Sequence, residues 1–430
     1  MRFNLFLALN AALFIRPAEL MPRLEGLPIY NGLILACLAA SFSALFVQLA
    51  RYPLTEQPIT VCVLGVFGSA VLSQLYRLNI GEAVATLVEL AKVFIYYVLL
   101  LTSIDTPERL RKFLGWLVFL TVTLTAAALL HYYELVSIDS VKALMDRDGD
   151  DVMVKRLAST GIYGDPNDLC IILLIAMGSC LFFMADGKAG PLRLLWGLPL
   201  AFCGYALSLT HSRGGFLAML AGIGVYLFAR HGGKKALLLG LLVFPLVLVT
   251  FAGRQTKIST SEDTGQDRIR LWSEGLRLFK ESPVFGIGYG RYADEVGLVA
   301  HNSFVHGFTE LGFVGGSCFL GAFGYAFWSI YRYSPRQSSP EALEFRRLRP
   351  YLLAIITTSV VGMMSISRNY VVPTYMILGI CAVYLRFTAV DLPREVRRFG
   401  SWLAARLAVG GVGFLGAAYV FVRFAARYQH

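Results

Sequence analysis

Apolar runs of about twenty residues recur along the chain, at about 3–20, 28–50, 58–77, 82–103, 112–135, 167–185, 191–210, 213–230, 235–252, 301–331, 349–367, 370–388 and 402–425. Each is long enough to cross a hydrocarbon layer roughly 30 Å thick as a helix, which satisfies its backbone polar groups within one segment. The alternating segments of roughly ten residues that build a membrane β-barrel are missing. The pattern predicts an all-α polytopic membrane protein of about 12 transmembrane helices, with the first and last runs the weakest. We read residues 1–430 as a single transmembrane domain without internal repeats. The first run flows into Arg16-Pro17 without a small-residue cleavage site, so it reads as a span and not as a signal peptide.

Two polar insertions interrupt this pattern, 136–166 and 253–300. Within the second, Ile269, Trp272, Leu276 and Phe279 fall at helical spacing before Pro283, predicting an amphipathic helix at the membrane interface. The remaining connections are mostly short, and alternate ones are basic. They carry Arg109, Arg111 and Lys112; Lys188 and Arg193; Arg230, Lys234 and Lys235; Arg332, Arg336, Arg346, Arg347 and Arg349; and Arg386, Arg394, Arg397 and Arg398. By the positive-inside rule these loops are cytoplasmic, which puts both insertions on the outer face.

Composition sharpens this reading. The chain is 56% hydrophobic and 16% charged, far more apolar than a soluble domain. Its net charge of +11 follows from the cytoplasmic loops and calls for no nucleic-acid partner. The seven cysteines lie in apolar runs without metal-ligand spacing, as small buried hydrophobes do.

The outer face holds the exceptions. Arg213, Arg254, Arg268, Arg270, Arg277, Arg291 and Arg368 stand where basic residues are scarce. For any one of them, snorkelling to headgroups suffices; several converging from different segments favour a bound anion. Arg268 shares a helix face with Trp272, whereas Arg277 and Lys280 read equally well as a solvated face. His301, at the membrane surface before Asn302, has a side chain suited to general-base work near neutral pH. Zinc held by His301 and His306 is a weaker reading, because i, i+5 puts them about 140° apart on a helix. Gly286-Ile287-Gly288-Tyr289-Gly290-Arg291 lacks the βαβ context of a dinucleotide site and reads as a tight turn, whose N–H groups would also suit a phosphate. Asp146-Arg147-Asp148-Gly149-Asp150-Asp151 departs from a calcium loop in glycine position and final glutamate, and reads as a solvated acidic loop.

Taken together these pieces resemble the bacterial O-antigen ligase and polymerase superfamily. The ligase signature runs from His301 and Asn302, through nine residues, to Gly312 and Gly315. Before it stand Arg268, Trp272, Pro283, Gly286, Gly288 and Gly290; Ser212-Arg213-Gly214; and Gly164-Asp165-Pro166-Asn167, in family order. The resemblance implies a fold of the glycosyltransferase C type in the bacterial inner membrane, with a periplasmic active-site loop at 253–300. It implies inverting transfer of a glycan from undecaprenyl diphosphate to lipid A–core oligosaccharide, without cofactor, metal or nucleotide, in contact with membrane lipids. His301 is the expected base; Arg213, Arg268, Arg270, Arg291 and Arg368 are the expected diphosphate ligands; Asn302 and His306 would orient substrate. A polymerase would use the same donor. A transporter of lipid-linked glycans would need charged or broken helices near the bilayer midplane, and the helix centres read as clean.

Overall fold

The computed structural model describes residues 1–20, 24, 26–138, 140–141, 144–148, 152–251, 263–335 and 339–427. Arg254, Arg336 and the Gly149-Asp150-Asp151 part of the acidic cluster lie outside the described residues. In chain order the α-helices longer than four residues are α1 (Arg2–Ile15), α2 (Ile29–Arg51), α3 (Pro58–Tyr76), α4 (Ile80–Ser103), α5 (Pro107–Tyr132), α6 (Pro166–Met184), α7 (Gly197–Leu209), α8 (Arg213–His231), α9 (Gly233–Thr250), α10 (Asp263–Glu281), α11 (Tyr292–Val296), α12 (Ser303–Arg332), α13 (Pro340–Met363), α14 (Val372–Phe387) and α15 (Ser401–Arg427). Each of the thirteen apolar runs falls on a helix, and among the described residues nine helices are long and apolar enough to cross a membrane. The protein is a polytopic helical membrane protein.

One feature outside the all-helical expectation is a hairpin in the 136–166 insertion, where β1 (Leu144–Asp148) pairs antiparallel with β2 (Val152–Arg156). A long polar connection must satisfy its backbone somewhere, and a two-strand ladder does so locally. The sequence periodicity of 3.6 carries no sign of it.

Caps and prolines fix the helix starts. Thr106, Asp165, Ser212 and Asn302 each accept a backbone N–H of the first turn, at 3.3, 2.7, 2.9 and 3.0 Å respectively. Pro107 and Pro166 occupy the first helical position, where the missing N–H costs nothing.

The chain divides into two compact units. The first comprises residues 1–43, 102–258 and 334–362. Its helices approach closely through small residues: a Cβ on Gly222 of α8 would lie 2.4 Å from the Thr358 methyl of α13, so only glycine permits that spacing. At one end of this unit Asp186, buried, accepts from both Arg111 and Arg347 at 2.5 Å. Burial opposes its charge, yet the two guanidinium groups outweigh that and hold the carboxyl down at about 2.

The second unit comprises residues 44–101, 259–333 and 363–430. Here α12 packs along α3, with Gly65 against Cys318 and Gly315 against Ser69. The apolar face of α10 is buried in protein, where Ile269 and Leu276 pack on Val422 of α15 and Phe279 meets Phe308 edge-on at 6.2 Å. The sequence expectation was an amphipathic helix at the membrane interface. The helix is amphipathic as expected, and α12 and α15 supply the apolar surface that its apolar face packs on.

Candidate functional site

The helix α12 begins one cap later than its apolar run suggests. His301 sits at φ 48°, in the left-handed region, and Asn302 caps the helix by accepting the N–H groups of Phe304 and Val305 at 3.0 and 3.2 Å. His301 is therefore half-buried and outside the helical ladder, on a backbone bent away from the helix. A non-glycine residue in this conformation is uncommon and marks a constrained position.

Two other segments of the second unit close on this point. Ser303, fully buried, donates to the Ile366 carbonyl at 2.7 Å and accepts the Arg368 N–H at 2.9 Å. Asn369 Nδ2 donates to the Ser303 carbonyl at 2.5 Å, so the 366–369 turn is bound to the start of α12 and Arg368 with it. From α10, Trp272 Nε1 donates to the Ala300 carbonyl at 2.9 Å, next to His301, and the half-buried Arg268 lies one turn before Trp272 on the same face. Arg270 instead belongs to the exposed face of α10 with Arg277, which is paired to Glu274 at 2.8 Å and Glu281 at 2.5 Å.

The glycine turn has a role that the sequence did not disclose. Helix α12 breaks at Gly312 (φ 66°), and the 283–288 segment fills the break. Ile287 and Gly288 donate to the carbonyls of Thr309 and Glu310 at 3.0 and 3.1 Å, and Phe313 donates to the Pro283 carbonyl at 2.7 Å. The opened helix thus finds its partners in the turn, as a membrane-embedded backbone must. The approach is so close that a Cβ on Gly286 would stand 2.3 Å from the Glu310 carbonyl oxygen, and one on Gly312 2.2 Å from that of Val284. The nine-residue spacer of the His-Asn motif is the length of helix between cap and break.

Glu310, almost wholly buried, anchors what surrounds the break. It accepts the Tyr292 N–H at 3.0 Å and the Tyr370 hydroxyl at 2.9 Å, and His306 Nε2 stands 3.0 Å away. His306 stacks on Tyr292 with ring centroids 5.1 Å apart. It is thereby built into the scaffold that presents Arg291 at the start of α11 and Arg368 beside Tyr370. Burial and then the nearby Glu310 raise the Tyr370 and Tyr292 hydroxyls above their ordinary range, so both stay protonated donors. Sequence reading passed over Glu310, Tyr292 and Tyr370; the available signal was a lone glutamate four residues after a histidine inside an apolar run. It also read the helix centres as clean, whereas α12 holds both a break and a buried acid.

The first unit gathers the other two motif elements. Asp165 caps α6, and Ser212 Oγ donates to Asn167 Oδ1 at 2.5 Å while capping α8. This places Arg213 at the first position of α8, after His211 at φ 48°. The Gly-Asp-Pro-Asn and Ser-Arg-Gly elements are thus one hydrogen-bonded corner. Among the described residues no group of three or more His, Cys, Asp or Glu side chains is placed to hold a metal ion.

Comparison with known proteins gives a family match. Residues 198–320 fit the family model described as O-antigen ligase. The stretch contains Arg213, the α10 segment, the glycine turn and the His301–Gly315 motif, and leaves out Asn167 and Arg368. No curated protein matches the chain. Over residues 198–320, which carry the break, the cap and the histidine just described, the chain is similar to the O-antigen ligase family.

Proposed function

We propose that this protein is an O-antigen ligase, an inverting membrane glycosyltransferase that moves a glycan from undecaprenyl diphosphate to lipid A–core oligosaccharide at the periplasmic face of the inner membrane. In this reading about 12 of the helices cross the bilayer in a glycosyltransferase C type arrangement. Residues 253–300 form the periplasmic active-site loop and 136–166 a second periplasmic loop. The observation that supports it most is the meeting at His301 of segments carrying Arg268 and Arg368, through the Trp272–Ala300 and Ser303–Arg368 hydrogen bonds.

The chemistry follows from charge. An acceptor hydroxyl oxygen attacks the anomeric carbon, the bond from that carbon to the diphosphate oxygen breaks, and the lipid diphosphate leaves. The hydroxyl proton passes to the His301 imidazole and then to water. Negative charge grows on the leaving diphosphate, where the planar forks of Arg268 and Arg368 are suited to hold it. Arg213 is a further proposed phosphate ligand on motif grounds. Arg291 reaches the donor from the glycine turn, and Arg270, on the exposed face of α10, is the weakest of the set. Asn302 orients His301 through the cap, and His306 orients substrate by fixing Tyr292 and the Arg291 turn.

The test supplies purified protein with undecaprenyl-diphosphate glycan, with and without lipid A–core. Glycosylated core is the expected product. Longer donor chains formed without core would replace the ligase by the polymerase reading. No transfer in either tube, with donor crossing vesicle membranes instead, would make the protein a transporter. The broken helix at first sight favours transport, since transporters bind cargo at such breaks. Here the break is occupied by the protein's own 283–288 backbone, which speaks against that role.

A further inference from the structure

The end of the second unit remote from His301 holds a cavity of about 340 Å³ that the transfer reaction does not use. Tyr325, on its wall, lies 22 residues beyond Ser303 along α12, on the order of 30 Å away at 1.5 Å per residue. Three arginines line it, Arg51, Arg386 and Arg397, against one carboxylate, Glu56. That carboxylate is already shared between Arg397 at 3.4 Å and Arg398 at 3.2 Å. Arg51 and Arg386 both rest against the ring of Tyr52, 5.6 and 5.7 Å from its centroid, so two like charges are brought to one small aromatic wall. Arg397 Nε is buried and has no hydrogen-bond partner. Positive charge in excess, held in place by an aromatic wall and with an unused buried donor, describes a receptor for an oxyanion.

Apart from the polar Gln48, Gln57 and Thr60, the rest of the wall is largely apolar, with Ile59, Leu101, Leu385 and Leu392. A free inorganic anion has no use for such a surface, whereas a phosphodiester carrying acyl chains uses both parts. Basic pockets between membrane helices recruit anionic headgroups in this way. We infer that this cavity binds the phosphate of an anionic phospholipid, with its chains along the aliphatic wall. The site is independent of the proposed transfer reaction.

The full-length protein, purified in detergent and stripped of lipid, is melted with added phosphatidylglycerol, phosphatidylcholine or inorganic phosphate, and the bound lipid is counted by native mass spectrometry. Phosphatidylglycerol is expected to raise the melting temperature and to remain bound, with phosphatidylcholine and phosphate having far smaller effects. Arg397→Gln and Arg51→Gln are expected to weaken phosphatidylglycerol binding roughly tenfold or more, the worth of one charge-assisted contact. Equal stabilisation by phosphatidylcholine would overturn the inference, because the headgroup would not be read. Full stabilisation by inorganic phosphate alone would overturn the lipid assignment, and unchanged binding in both variants would overturn the site. If Arg397→Gln melts early without lipid, the exposed Arg51→Gln decides the matter.

Discussion

His301 and Glu310 separate chemistry from scaffold within one helix. His301 stands outside the helical ladder, ahead of the Asn302 cap. His301→Ala is expected to melt within a few degrees of the parent and to lose transfer by at least about a hundredfold, the scale of a general base. Arg268→Lys tests the arginine geometry: a single ammonium replaces a fork, so transfer should fall while core binding persists. Parental transfer rates in both variants would remove the proposed site. Glu310→Gln should behave in the opposite way. Its two oxygens receive the Tyr292 N–H, the Tyr370 hydroxyl and His306, and an amide nitrogen would face a donor with a donor. The cost is about 1–3 kcal/mol of stability, with transfer lost through the displaced 289–292 and 366–370 turns. Melting curves of the two variants distinguish them.

At the scale of the element, the glycine motif is an instruction for backbone geometry. Gly290 and Gly312 both have positive φ, 75° and 66°, yet only Gly312 meets other atoms: nothing stands within 4 Å of a Cβ on Gly290. Gly290→Ala therefore carries conformational strain alone, about 1–2 kcal/mol. Gly312→Ala adds an overlap with the Val284 carbonyl and must push the turn out of the break, so it should cost more than Gly290→Ala and abolish transfer. Equal melting temperatures for the two would show that the turn yields freely. The Asp186 cluster makes a prediction of its own. With its carboxyl held at about 2 against roughly 3.9 when unfolded, its contribution is complete above pH 4 and disappears as pH falls toward 2. Acid melts of Asp186→Asn should lack the part of the stability loss that the parent shows in that window.

Across the whole molecule, hydropathy made the helices legible because a bilayer imposes one length and one polarity on every span. The same uniformity hid what gives the helices individuality. Nothing in an apolar run separates Gly312, where α12 breaks, from Gly324, where it continues, because the partner that fills the break lies some twenty-five residues upstream. The motif residues were legible as a set, while Glu310, Tyr292 and Tyr370 were not, since their importance lies in contacts between distant segments. Sidedness rests on charge alone and is open to direct test. All the native cysteines are buried except Cys318, which is half-buried in a spanning helix, so an introduced surface thiol reports almost without background. Ser273→Cys, on the exposed face of α10, should react with a membrane-impermeant maleimide in spheroplasts. Glu341→Cys, exposed at the start of α13 beside the basic 346–349 cluster, should react only after permeabilisation. The reverse order would turn the protein over in the membrane and put His301 on the cytoplasmic side, away from any acceptor assembled outside.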